Sequence, residues 1–187
     1  PAAPEFPPVN CADYVTITDE ETLARWIAAI RQKGAVALDT ETTSLDEMQA
    51  ELVGISLATA PGRAAYIPLS HRVGEGDLFG GSDLAEGQLP LDMVVDALRP
   101  VLEDAAILKI GQNVKYDLKI LRRYGIDVAP IDDTMLMSYA MNSGLHNHGM
   151  DVLAESYLQH QCIPIKSLIG SGKSQITFDR VPVAEAV

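Results

Sequence analysis

The chain has 187 residues, of which 47% are hydrophobic and 21% are charged, a composition typical of one globular domain with a sizeable buried core. Its formal net charge of −12 disfavours binding of nucleic acid through the general surface, so local positive charge would have to come from bound metal ions or neighbouring domains. No apolar run is long enough to cross a bilayer and no signal pattern opens the chain, which predicts a protein without a membrane partner.

Residues 1–13 are rich in proline and are interpreted as an extended linker, and residues 14–187 as the folded domain. The two cysteines, Cys11 and Cys162, lie far apart and form no C-x-x-C pair. Neither a disulfide framework nor a zinc site is indicated, and reduced thiols in a cytoplasm are expected.

The first half of the chain predicts one helix followed by strands. A helix with an acidic cap is predicted from Thr18 to Gly34. Strand candidates follow at residues 35–38, 52–59 and 64–69, and the last two flank a loop of hairpin composition, which predicts an antiparallel meander. Residues 70–90 carry several glycines among scattered acids and are expected to form a mobile surface loop.

Helices alternate with a strand in the second half of the chain. The predicted ranges are a helix at 91–104, a strand at 105–110, and helices at about 113–124, 132–141 and 149–158. Consecutive strands followed by this alternation predict an α/β domain with a mixed sheet flanked by helices.

Two carboxylates follow the first predicted strand. Asp39 and Glu41 are two residues apart in an extended segment, so their side chains share one face while Thr40 points the opposite way. Like charges side by side repel each other unless a cation lies between them, which makes the pair a candidate metal site. A solvated turn flanked by two acids is the alternative on this pattern alone.

A third carboxylate lies on a predicted helix. Asp117 comes three residues after Val114 and three before Ile120, so it projects from the apolar face toward the sheet. A charge in that position costs roughly several kcal/mol unless it is paired or ligates a metal. The other side of the helix carries a basic stripe, either a solvated face or a phosphate contact, formed by Lys115, Lys119, Arg122 and Arg123.

These stretches resemble a known family. Asp39-Thr40-Glu41-Thr42-Thr43-Ser44-Leu45-Asp46 and Gly111-Gln112-Asn113-Val114-Lys115-Tyr116-Asp117 are similar to the first two motifs of the DEDD exonuclease superfamily. The amino-acid sequences of these two motifs resemble those of the proofreading domains of bacterial DNA polymerase I, and the similarity extends over residues 14–187. The resemblance implies a ribonuclease-H-like fold, a cytoplasmic and nucleoid-associated bacterial protein, and hydrolysis of the 3′-terminal phosphodiester of DNA.

The resemblance also implies roles for single residues. Asp39 would bridge two divalent ions, Mg²⁺ or Mn²⁺, Glu41 would ligate the first and help orient the attacking water, and Asp117 would serve the second. The implied partners are a single-stranded 3′ end of DNA and a polymerase domain of the same parent chain. The implied DNA contacts are Leu45, Gln112, Asn113, Lys115, Tyr116 and Lys119.

The fourth carboxylate of the superfamily is missing from the sequence. In this branch it comes as Tyr-x-x-x-Asp, and no tyrosine of the chain has an Asp four residues later. We therefore expect a domain truncated before this motif and, as a fragment, weak or inactive. His146 and Asp151 have the spacing of the histidine branch and are the alternative, although Asp151 also fits the first turn of a helix.

Two short patterns have simpler interpretations. The segment Gly170–Ser174 ends like a P-loop but lacks its leading glycine and a preceding strand, so a flexible loop is expected. Asp133 is a candidate helix N-cap.

Two other functions stay open. A stand-alone ribonuclease-D-like or Werner-type exonuclease carries related motifs. A vestigial domain that has lost catalysis would serve as a DNA-binding or structural module, but such domains typically lose the metal carboxylates that are present here.

Overall fold

A computed structural model describes residues 10–11, 13–74 and 83–187. Most of the predicted linker and the glycine-rich centre of the predicted loop at 70–90 lie outside the described residues. Among the helices of the described segments, none combines the length and the apolar character needed to span a bilayer.

A six-stranded mixed sheet forms the centre of the fold. Its strands are β1 (Val15–Thr16), β2 (Ala35–Thr42), β3 (Leu52–Ala60), β4 (Arg63–Pro68), β7 (Leu108–Gly111) and β8 (Ile131–Asp133), in the spatial order β1-β4-β3-β2-β7-β8. The strands β2, β3 and β4 form the predicted antiparallel meander, whereas the other three pair in parallel with their neighbours. The prediction of an α/β domain with a mixed sheet is confirmed.

The first five helices lie within a few residues of the predicted ranges, and two further short helices follow them. They are α1 (Glu20–Lys33), α2 (Leu91–Leu102), α3 (Lys115–Arg123), α4 (Thr134–Asn142), α5 (Met150–Leu158), α6 (Ile165–Ile169) and α7 (Val183–Ala186). Helix α1 begins at the predicted cap, where the Asp19 side chain accepts from the Thr22 N–H at 2.8 Å. It ends at Gly34, whose φ of 71° is left-handed and favours glycine.

Helices α1, α2 and α3 enclose the main hydrophobic core against one face of the sheet. Along β2, Val36 and Leu38 are buried in this core, while Ala37 is exposed and Asp39 is partly exposed. The two-residue period of a strand therefore places Asp39 on the face away from the core. The fully buried core side chains include Ile17, Leu23, Ile30, Leu52, Ile55, Leu57, Ile67, Leu98, Leu102, Ile120 and Leu121.

Two predicted strand boundaries are wrong, and two predicted loops contain regular structure. Strand β2 continues to Thr42 because its polar end still pairs with β3, whereas β7 starts later than predicted because a turn at Asp104 precedes it. The predicted loop at 70–90 begins with the buried His71 and contains a two-stranded sheet of β5 (Arg72–Val73) and β6 (Asp83–Leu84). Helix α6 ends directly before Gly170, and Gly172–Ser174 form a 3₁₀ turn.

Asp133 holds the starts of two helices together. Its carboxylate accepts from the N–H groups of Met135 at 2.9 Å and Leu136 at 3.3 Å, which confirms the predicted N-cap of α4. It also accepts from the N–H groups of Asn113 at 3.1 Å and Val114 at 3.0 Å, directly before α3. One buried carboxylate therefore fixes α3 and α4 relative to each other.

We expect Asp133→Ala to lower the free energy of unfolding by about 2–3 kcal/mol, since buried N–H groups before both helices lose a charged acceptor. Urea unfolding of the two proteins measures the difference. Asp19→Ala, which removes the exposed cap of α1, serves as the control and should cost less. Equal losses in the two variants would contradict a role for Asp133 beyond capping α4.

Candidate active site

Strand β2 extends beyond its parallel neighbour, which leaves one of its edges free. The last pair between β2 and β7 is Ala37 with Ile110, whereas pairing with β3 continues to Thr42. Helix α3 fills the open edge: Asp117 Oδ1 accepts from the Thr40 N–H at 2.9 Å and from the Thr40 hydroxyl at 2.5 Å. This contact brings the helix carboxylate against the strand that carries the other two.

The three predicted carboxylates lie close enough to affect one another's charge. Burial, followed by the charge of Asp117, raises the pKa of Asp39 to about 6. Burial and then the charges of Asp39 and Asp117 raise the pKa of Glu41 to about 7. Asp117 is only 3% exposed, and burial raises its pKa although the hydrogen bonds from Thr40 act against this. None of the three forms an ion pair with another described residue.

Such a cluster has the donor chemistry that a hard divalent cation requires. Carboxylate oxygens are the ligands that Mg²⁺ prefers, and a cation would relieve the repulsion among Asp39, Glu41 and Asp117. Within the described parts of the chain, no group of three or more His, Cys, Asp or Glu side chains converges on a point that could hold a metal ion. One oxygen of Asp117 is already used by Thr40.

An open groove gives access to Asp39 from outside. It has a volume of about 250 Å³, and its floor is made of small side chains on the face of the sheet away from the core, namely Ala37, Ser56, Ala58 and Ala64. Gln112, Thr134 and Met150 connect it to an apolar pocket of about 490 Å³ between α4 and α5. Asp39 is therefore half-buried and reachable.

The loop after β2 carries an exposed apolar side chain beside the carboxylates. Leu45 is 94% exposed. Helix α3 holds this loop, because the Tyr116 hydroxyl donates to the Ser44 carbonyl and lies 2.5 Å from the Thr42 hydroxyl. Lys119 forms an ion pair with Glu47 at 2.5 Å.

Most of the basic stripe is occupied by the protein itself. In addition to the ion pair of Lys119, Arg122 pairs with Asp127 at 2.6 Å, and Arg123 donates to the Glu47 carbonyl at 2.9 Å. Lys115 is exposed. The stripe thus braces the loop, and of its residues Lys115 presents its charge most openly.

Gln112 and Asn113 lie at the start of α3. Gln112 lines the groove, donates to the His148 carbonyl at 2.8 Å and accepts from the Thr134 hydroxyl at 2.5 Å. Asn113 is exposed and has a left-handed φ of 56°. Asp151 lies in the first turn of α5, after the loop that holds His146, as the simpler interpretation of this segment predicts.

Sequence reasoning missed Gly54 and Tyr66. Gly54 is the cross-strand partner of Glu41, and a Cβ atom added to it would lie 2.0 Å from Tyr66 Oη. The ring of Tyr66 therefore fills the space that a side chain at Gly54 would need. A glycine inside a strand marks such close approaches and was the available signal.

The sequence of the chain is similar to those of known proteins. The sequence profile of a 3′-5′ exonuclease family matches residues 14–187. DNA polymerase I of Rhizobium leguminosarum is 51% identical over 188 residues, which cover 96% of this chain and 18% of that protein. The chain thus spans only about a fifth of the length of this curated relative.

Solved structures share the fold at low sequence identity. Escherichia coli RNase D is 24% identical with a TM-score of 0.59, and the match covers 84% of this chain and 36% of that one. Brucella melitensis NrnC with bound Mg²⁺ is 18% identical with a TM-score of 0.58, covering 92% and 68%. These similarities confirm the ribonuclease-H-like fold.

We expect the stability of the protein in EDTA to fall as the pH rises from about 4 to 8. The ordinary pKa values of Asp39 and Glu41 are 3.8 and 4.5, and in the folded protein they are about 6 and 7. At a pH between the ordinary and the raised values, the folded protein therefore binds more protons than the unfolded chain. The loss of folding stability is absent at a pH below the ordinary pKa values and complete at a pH above the raised pKa values of the folded protein.

Asp39→Asn should accordingly raise the free energy of unfolding by about 1–2 kcal/mol at pH 8 and leave it unchanged at pH 4. Urea unfolding across this pH range measures both effects. Glu155→Gln, on the exposed side of α5, is the control. A wild-type stability that does not change between pH 5 and 8 would contradict the raised pKa values of Asp39 and Glu41.

Proposed function

The chain belongs to the 3′-5′ exonuclease family, and from this we propose that it is the proofreading exonuclease domain of a bacterial DNA polymerase I. It would hydrolyse the terminal phosphodiester at the 3′ end of a single DNA strand. The observation that carries this proposal is the unneutralised carboxylate cluster of Asp39, Glu41 and Asp117 at the free edge of β2, beside an open groove.

The carboxylates would hold Mg²⁺ or Mn²⁺, with Asp39 in the central position. Asp39 raises the pKa of Glu41 more than Asp117 does, which supports a place for Asp39 between the other two. Glu41 would hold one ion with Asp39, and Asp117 would serve the other. When bound, two divalent ions supply a nucleophilic water and stabilise charge on the attacking and leaving oxygens.

The surroundings of the cluster suit a single-stranded 3′ end. Leu45 projects from the braced loop and would pack against the terminal base, in the way that apolar and aromatic side chains hold unpaired bases. Gln112 and Asn113, at the mouth of the groove, would contact the terminal nucleotides, and the exposed Lys115 a phosphate. Tyr116 and Lys119 would act by holding the loop.

We propose that catalysis also needs a fourth carboxylate, carried by a Tyr-x-x-x-Asp motif that follows in the parent chain. The sequence contains no such motif, and the described carboxylates do not converge on a metal position. The small-residue groove beside Asp39 and the apolar pocket next to it offer a place for the segment that would carry it. The 187-residue chain alone is then expected to be a weak nuclease or inactive.

The nuclease activity is tested with 5′-labelled single-stranded DNA and RNA of one sequence, in Mg²⁺ or Mn²⁺. This chain is compared with a version extended downstream through the next Tyr-x-x-x-Asp motif. We expect the extended protein to shorten DNA from the 3′ end. Asp39→Asn should slow it by about 100–1,000-fold, the range for losing one electrostatic stabiliser of a transition state.

Each other outcome favours a named alternative. Strong activity of the 187-residue chain would overturn the need for a further carboxylate and point to His146 and Asp151. Preference for RNA would favour a ribonuclease-D-like enzyme, whose fold the chain shares. An inactive extended protein that still binds DNA would favour a vestigial module.

We expect Leu45→Ala to weaken binding of single-stranded DNA by about fivefold, since partial burial of a leucine side chain against a base contributes about 1 kcal/mol. The thermal midpoint should not change because the side chain is 94% exposed. Fluorescence anisotropy with Ca²⁺ in place of Mg²⁺ measures binding without cleavage. Leu145→Ala, at a position 76% exposed, is the matched control and should have no effect.

A further inference from the structure

Next to Glu41 lies a buried tyrosine–histidine pair that the proposed mechanism does not use. Tyr66 on β4 is 3% exposed, and His71, five residues later, is 1% exposed. The Tyr66 Oη and His71 Nε2 atoms are 2.6 Å apart. The other ring nitrogen of His71, Nδ1, lies 2.8 Å from the carbonyl oxygen of Val181.

The hydrogen bonds of this pair determine where its protons lie. A carbonyl oxygen can only accept, so the proton of the imidazole is on Nδ1 and is donated to Val181. Burial lowers the pKa of His71 although the bond to Val181 and the charge of Asp179 act against it, so the ring is neutral and Nε2 is an acceptor. The Tyr66 hydroxyl must then donate to His71, which leaves Oη only lone pairs for its other neighbours.

The missing side chain of Gly54 lets Tyr66 reach the vicinity of Glu41. Glu41 and Gly54 are directly opposite each other on β2 and β3, and a Cβ atom on Gly54 would lie 2.0 Å from Tyr66 Oη. Opposite residues have Cβ atoms about 4.5–5.5 Å apart, so Oη lies within about 8 Å of the Glu41 Cβ atom, on the same face of the sheet. In agreement, the charge of Glu41 adds to burial in raising the pKa of Tyr66.

We propose that Tyr66 is a positioning residue for Glu41. Its oxygen turns only lone pairs toward the Glu41 carboxylate, and two electron-rich groups repel each other. The carboxylate is thereby kept from folding back over β3 and is held on the side of Asp39. This inference deepens the proposed function and rests on it for its catalytic meaning, because orientation of Glu41 matters most if Glu41 ligates a metal ion.

His71 and the C-terminal segment set the direction of the tyrosine proton. Val181 packs with Val53 and Phe178 in a second small hydrophobic cluster, so its carbonyl is fixed against the sheet. The ring of Phe178 also contacts His71, with ring centroids 5.9 Å apart. If His71 had the opposite tautomer, Tyr66 would be free to donate to Glu41, and the effect on the carboxylate would be attraction.

The test uses the 187-residue chain in EDTA at pH 9, above the raised pKa of Glu41, so that this carboxylate is ionised, and reads Glu41 directly by NMR. Three-bond couplings report the χ1 rotamer of Glu41 in the wild type and in Tyr66→Phe, which removes only the oxygen. The matched control is Tyr124→Phe, because the Tyr124 hydroxyl accepts from Leu52 N–H at 3.0 Å on the same strand as Gly54. We expect one rotamer in the wild type and the control, and a mixture in Tyr66→Phe.

A second measurement in the wild type does not depend on any variant folding. The ¹⁵N shifts of His71 should show a proton on Nδ1 and none on Nε2. A proton on Nε2 would overturn the proposal, as would Glu41 rotamers that are averaged in the wild type or identical in wild type and Tyr66→Phe. The hydrogen bonds of His71 with Tyr66 and Val181 would then only anchor the segment that contains Val181 to β4.

Binding of Mn²⁺, followed by its electron paramagnetic resonance signal, separates this inference from the proposed function. In the extended protein, Tyr66→Phe should weaken Mn²⁺ binding by about 10-fold or more, as is usual when the groups that orient metal ligands are removed, whereas Tyr124→Phe should not. Equal Mn²⁺ affinities of the wild type and Tyr66→Phe would overturn the link from Tyr66 to metal binding. No Mn²⁺ binding by the wild type, with the rotamer effect intact, would refute the metal site and leave the positioning of Glu41 standing.

Discussion

The free edge of β2 is the constraint on which the candidate active site depends. Beyond Ala37 no described strand pairs with β2 on the β7 side, and a buried backbone amide without an acceptor is costly. Asp117 provides that acceptor for Thr40 from the first turn of α3. The bond that closes the edge therefore also gathers the carboxylates, so strand length and site chemistry cannot be separated in this fold.

Since burial and the neighbouring charges raise the pKa values of the gathered carboxylates, their ionisation is expected to lower the stability of the fold, and its other contacts must offset this. Asp39 and Glu41 lie on the face of the sheet away from the main core, and the core contains none of the three acids. Asp133 fixes the start of α3 from a different strand, so the position of Asp117 does not rely on the repelling groups themselves. The carboxylate cluster is thus held in part by contacts that do not involve its own members.

Features with strong local signals were predictable from the sequence, and features that depend on distant contacts were not. The caps of α1 at Asp19 and Gly34 and the burial of Asp117 follow from short-range spacing. β2 was predicted too short, because Asp39 and Glu41 are of residue types depleted in strands, and pairing with β3 overrides this. The partners Lys119 with Glu47 and His71 with Val181 are 72 and 110 residues apart, beyond any local pattern.

The gap at Gly54 also limits how the sequence can change over time. The phenol of Tyr66 occupies the volume of the absent side chain, so the two positions are not free to drift separately. A larger residue at one requires a smaller residue at the other, and a smaller residue at Tyr66 would also leave His71 without its donor. Homologous sequences are therefore expected to keep the glycine and the tyrosine together or to replace both.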